Sequence, residues 1–218
     1  MNANFDITTL TVINPTGPVS IAPGGAYTLA ITKGINLANA TVDLTLTAPV
    51  TLGGNQTWSV TNTHVLYADG GISGSAALTV TGGGTVSLGA AATYTGDTTV
   101  SSGGTLQMGA ANLLPNGAGA GNLNVNGALD LNGYSQTVNA LNNNGVVDNT
   151  AAGAATLTLG GNNAAFTLGG IIQNTGGALT LAKTGSGNLT LSSSNSYSGG
   201  TLINSSYEIG RASCRERV

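Results

Sequence analysis

Between residues 1 and 207 the chain has no cysteine, no arginine and no glutamate. Without cysteine there is no disulfide framework and no thiolate metal site. That also suits a protein that crosses an oxidising compartment unfolded. Charge is scarce throughout: 6% of the 218 residues are charged and 4% are aromatic, far below the usual share of about a quarter charged. Amphipathic helices need a charged face, and Gly, Thr, Asn and Ser are poor helix formers, so almost no helix is expected. No apolar run is long enough to cross a bilayer, so no membrane-spanning helical segment is expected. The start, Met1-Asn-Ala-Asn-Phe-Asp6, has neither a basic stretch nor an apolar core and does not read as a signal peptide.

The C-terminal segment breaks this pattern. Glu208–Val218 hold both glutamates, all three arginines and the one cysteine, Cys214. The segment resembles the translation of a sequencing-adapter oligonucleotide. It is expected to be a non-native, disordered read-through tail at 208–218, and no chemistry is assigned to it. Residues 1–207 then read as one domain, a fragment truncated at both ends. Its charges are Lys33 and Lys183 against Asp6, Asp43, Asp69, Asp97, Asp130 and Asp148, two minus six, or minus four. Clustered Lys and Arg are what phosphate binding needs, so nucleic acid and anionic membrane surfaces are not expected partners.

What the chain does have is 35 glycines and many short runs in which Leu, Val or Ile alternate with Thr, Ser or Asn. Examples are Val42–Leu46, Leu78–Val80, Leu129–Leu131 and Leu157–Leu159. Period two is the signature of strands with one buried face. The intervening Gly-Gly and Asn-Gly pieces could close antiparallel hairpins. The strands are too short and too numerous for a sandwich, however, and the connections often lack the tight spacing of a hairpin. The expected fold is all-β, a right-handed parallel β-helix (β-solenoid), with rungs of roughly 20 residues and on the order of ten coils. Asn142-Asn143-Asn144 is expected as a turn ladder between rungs.

One unit occurs twice. Gly84-Thr-Val-Ser-Leu88 leads to Tyr94-Thr-Gly96-Asp-Thr98, and Gly187-Asn-Leu189-Thr-Leu191 leads through Asn195 to Tyr197-Ser-Gly199-Gly200-Thr201. The offset is constant, so that Gly84 matches Gly187, Tyr94 matches Tyr197 and Thr98 matches Thr201. Self-similarity at fixed spacing marks a stack of repeats.

With Lys183-Thr-Gly185-Ser-Gly187 ahead of it, the second copy, about 179–207, resembles the autotransporter-associated β-strand repeat, also called the passenger-associated transport repeat. The copy at about 79–108 is degenerate, with Gly82-Gly83-Gly84 in place of that lysine turn and Asp97 in place of a glycine. The resemblance implies an exported bacterial β-helical passenger, secreted or at the cell surface, whose partner in export is an outer-membrane translocator. Three roles are weighed: a structural or adhesive segment, a module whose outward Thr and Asn rows bind extracellular glycan, other cell surfaces or ice, and a polysaccharide-active enzyme.

No catalytic, cofactor-binding or metal-binding residue is assigned. The six Asp are scattered along the chain. Only Asp130 and Asp148 are placed to stack on adjacent rungs, and both are expected to point to solvent. His64 is expected at the surface without a carboxylate near it. Glycine-rich runs lack the GK[ST] of a phosphate loop, and turns explain them.

Overall fold

The computed structural model describes residues 3–61 and 63–204; the tail at 208–218 lies outside them. Among the described residues there are 23 strands and no helix. Every pairing between these strands is parallel. Glycine-rich pieces therefore turn corners of a β-solenoid of about nine turns instead of closing hairpins. Coils differ in length: the turn that brings Leu141 back onto Leu123 is clearly shorter than the one that brings Leu123 onto Thr98.

Each coil passes over three faces. The first face carries Gln56–Val60, Leu78–Thr81, Thr98–Val100, Leu123–Val125, Leu141–Asn143, Phe166–Leu168 and Leu189–Leu191. The second carries eight strands from Val19–Ile21 to Ile171–Ile172. The third has a ladder at each end: Val50–Leu52 with Ile72–Gly74, and Gln136–Val138, Ala155–Leu159, Leu179–Lys183 and Thr201–Ile203. The long strand Leu29–Asn39 bends around a corner and serves two faces, pairing with Val50–Leu52 through its first half and with Gln56–Val60 through its second. The bend is at Gly34, whose φ is 149° and where a Cβ would lie 2.0 Å from the Thr57 carbonyl oxygen. Only glycine fits so close an approach.

Period-two alternation builds the core. On the second face Leu44, Leu66, Val86, Leu106, Leu129, Val147 and Ile172 sit in register on successive rungs, and all are fully buried. Burying such a side chain contributes about 1.5–3 kcal/mol, so each rung is held mainly by its two neighbours.

The middle of the third face is irregular. An isolated bridge joins Ile72 to Ala92, and Ala92 N–H donates to Leu113 C=O at 2.8 Å. Gln136 takes over where the ladder fails. Its buried side chain accepts from Leu113 N–H at 2.9 Å and Leu114 N–H at 3.3 Å and donates to Ala110 C=O at 2.7 Å. A side-chain amide thereby satisfies backbone groups that would otherwise be buried unpaired.

Candidate functional site

The repeated unit is the most specific feature of the sequence, and its two copies repeat a shared set of bonds on different faces. In the first, Thr85–Leu88 lies on the second face, Tyr94 on the third and Thr98–Val100 on the first. In the second, Leu189–Leu191 lies on the first face and Thr201–Ile203 on the third, with Ser196 N–H donating to Ile172 C=O on the second face between them. The motif is thus turned by one face about the axis. Tyr94 Oη bonds Thr98 Oγ1 at 2.5 Å, and Tyr197 Oη bonds Thr201 Oγ1 at 2.6 Å. Leu78 N–H donates to Asp97 C=O and Leu181 N–H to Gly200 C=O; Ser101 N–H donates to Val80 C=O and Asn204 N–H to Lys183 C=O.

Glycines of the motif stand against the preceding coil. A Cβ at Gly84 would lie 2.6 Å from His64 O, one at Gly187 2.1 Å from Ala164 O, and ones at Gly96 and Gly199 2.4 and 2.5 Å from backbone atoms of Ala76 and Leu179. Gly185 and Gly82 share a positive φ. At Gly200 the copies part: its φ is +80°, whereas Asp97 is not left-handed and its Oδ1 accepts from Asn122 N–H at 2.8 Å. Asn195 Oδ1 accepts from Ile172 N–H at 2.8 Å, where the matching Ala92 position uses the carbonyl of Ala91 toward Ile72. Leu88 is fully buried, while Leu189 and Leu191 are partly covered.

Burial separates the tyrosines as well. Tyr94 is fully buried, and desolvation drives its phenol pKa well above the ordinary value of 10.0, against the weaker opposing effect of its bond to Thr98. Tyr197 is only partly buried. Lys183 stands in the inward row between Leu159 and Ile203, at the position Val80 holds in the first copy. Its ammonium donates to Thr184 O and, at 2.9 Å, to Gly185 O, closing the glycine turn; burial lowers its pKa from 10.5.

Asp130 and Asp148 do pair on adjacent rungs, but they do not stand free in solvent. Asp130 is buried and accepts from Gln107 Nε2 at 2.9 Å, Thr150 Oγ1 at 2.8 Å and the Asn132 N–H at 2.8 Å. Asp148 accepts from Gln173 Nε2 at 2.7 Å, Thr175 N–H at 2.9 Å and Thr175 Oγ1 at 3.1 Å. Donors on the flanking rungs cover both carboxylates, and such charge-assisted bonds staple coil to coil. The asparagine run forms the expected ladder between rungs at two of its residues, one of them on a strand instead of a turn. Asn142 and Asn143 lie within a strand; Asn142 and Asn144 reach outward to Asn124 at 2.8 Å and Asn126 at 3.2 Å, while Asn143 is buried in the inward row beside Val125 and Leu168.

On the outward side of the first face Thr57, Thr79, Thr99, Asn124 and Asn142 are in register, with Thr167 paired to Thr190 farther on. Ser59 beside Thr81 begins a second rank.

His64 has a carboxylate beside it after all: Nδ1 is 3.4 Å from Asp43 Oδ1, which also accepts from Val65 N–H at 2.8 Å. With Pro18, Val42, Thr45, Thr63 and Tyr67 they line an open recess of about 540 Å³ on the second face. Trp58 is buried with its Nε1–H on Gln56 Oε1 at 2.9 Å, whereas Tyr134 is 40% exposed.

Two segments, residues 78–108 and 181–205, match the Passenger-associated-transport-repeat family, so the chain carries two copies of that repeat. No curated protein and no solved structure is significantly similar to it.

Proposed function

We propose that this chain is part of an exported passenger displayed on a bacterial surface, where it serves as a shaft and adhesive surface with no catalysis of its own. The observation that carries the reading is the repeat itself. A unit matched to the passenger-associated family recurs with the same tyrosine–threonine and backbone bonds on two faces of one solenoid. Parallel coils that depend only on their neighbours suit a chain that emerges end first, since each coil can fold onto the last. The stacked carboxylates support a structural role, because each is occupied by donors of adjacent rungs. Fusing the chain ahead of an outer-membrane autotransporter barrel tests export: protease shaving of intact cells should remove it, and retention in the periplasm would overturn the reading. Incubation of the purified chain with polysaccharides should release no reducing ends; steady release would overturn the non-enzymatic part.

A second reading, binding of glycan or ice, is favoured by the register of Thr57, Thr79 and Thr99. Rungs about 4.8 Å apart present these hydroxyls at a regular spacing. Replacement of threonine by asparagine at the next two rungs limits the regular array to three coils.

A further inference from the structure

The recess on the second face has chemistry that neither the stack nor the repeat requires. Three successive rungs build it: Pro18 from the first, Val42, Asp43 and Thr45 from the second, Thr63, His64 and Tyr67 from the third. The outward row through it reads Ser20, Thr45, Tyr67, Ser87, Gln107. An aromatic ring stands alone in that polar row, 36% exposed, and its Oη has no hydrogen-bond partner among the described residues. A threonine would serve the strand as well, so the ring's exposed surface is available for a ligand.

The polar groups beside it are held in advance. Val65 N–H fixes Asp43 Oδ1. His64 is tied at both backbone groups, its N–H to Thr61 O at 3.1 Å and its C=O to Thr85 N–H at 3.0 Å. The contact with Asp43 engages Nδ1 and leaves Nε2, the other ring nitrogen, to hydrogen-bond with a ligand. The Asp43 carboxylate and the His64 imidazole thus line the recess beside the apolar surfaces of Tyr67, Val42 and Pro18.

We propose that this recess binds a neutral sugar residue of an extracellular glycan. The C–H face of the pyranose lies on the Tyr67 ring, one hydroxyl donates to the Asp43 carboxylate and a second hydrogen-bonds with His64 Nε2. Three rungs span about 10 Å at about 4.8 Å each, room for one or two rings. The carboxylate at the rim rejects acidic sugars by like charge. The inference shares its ligand class with the second reading above but places it on another face, with an aromatic floor.

The test is saturation-transfer NMR on the full chain with cellotetraose, maltotetraose and chitotetraose, and with a galacturonate oligomer as the acidic probe. At least one neutral probe should bind and the acidic one should not. Tyr67→Ala should weaken binding at least about tenfold, as loss of an aromatic anchor does, and Tyr67→Thr, which keeps a good strand former, should do the same. Asp43→Asn retains an oxygen for Val65 N–H and should also weaken it. Thr79→Lys on the first face should leave it unchanged. Absence of binding by all three neutral probes, equal binding of the acidic one, or affinity that survives both Tyr67 variants would overturn the proposal. Loss with Thr79→Lys alone would move the site to the threonine rows. Export and display are read by the protease assay and are independent of these outcomes.

Discussion

The copy at 78–108 lies inside the stack and the copy at 181–205 lies at the end of the described coils, so one motif can be seen under two degrees of cover. Thr85–Leu88 is flanked by strands on both sides, whereas Leu189–Leu191 pairs with Phe166–Leu168 alone among the described residues. The tyrosine–threonine pair and the backbone bonds of Leu78 and Ser101 recur in the second copy at Leu181 and Asn204, while the side-chain bonds of Asp97, Asn195 and Lys183 belong to one copy each. What differs most is burial. Leu88 and Tyr94 are fully covered, but Leu191 and Tyr197 only in part. The motif therefore specifies a coil through its own turns and close approaches, while the neighbouring coils supply most of the hydrophobic stabilisation.

The comparison is open to direct attack. Tyr94→Ala should destabilise its coils by about 3–5 kcal/mol, the range for truncating a buried aromatic residue, while Tyr197→Ala should cost about 1 kcal/mol. Because coils open locally, hydrogen exchange resolved along the chain is the suitable measurement, and equal losses at both sites would break the contrast. Removing only the hydroxyl sharpens it: Tyr94→Phe leaves buried Thr98 without its partner and should cost about 1–2 kcal/mol, and Tyr197→Phe clearly less.

Alkaline pH separates the copies by sign. Lys183 has a lowered folded pKa, so the unfolded chain binds more protons as pH approaches 10.5, and stability rises over that window. Tyr94 has a raised folded pKa, so above pH 10.0 the unfolded chain loses its proton first, and stability falls. Denaturant titrations across this range should show Lys183→Met lacking the rise and Tyr94→Phe lacking the fall; unchanged profiles would contradict both assignments. The smallest effect is expected at Asp97, where the sign of φ differs from that of its counterpart Gly200. Asp97→Gly restores the glycine of the second copy but loses the bond to Asn122 and adds chain entropy, costing about 0.5–1 kcal/mol.

Much of this was legible in the sequence because inward positions are set locally. Leu129 and Val147 reveal their direction by period two, and Gly84 and Gly187 reveal a close approach by recurring. Contacts between rungs were less accessible, since rung length is not constant and the residue one coil away cannot be found by counting. Asp130 reads as solvated until Gln107 and Thr150, on the rungs to either side, are seen to cover it. His64 reads as solitary for the same reason, its carboxylate lying on the preceding rung. Lys183 misleads through its polarity: a charged side chain in a leucine row becomes intelligible only once the carbonyls of its own turn are seen around the ammonium.

Turning the repeat by one face has a geometric consequence. Decorations borne at the tyrosine corners of the two copies would stand on different sides of the shaft, so a partner lying along one side would meet one copy and not the other.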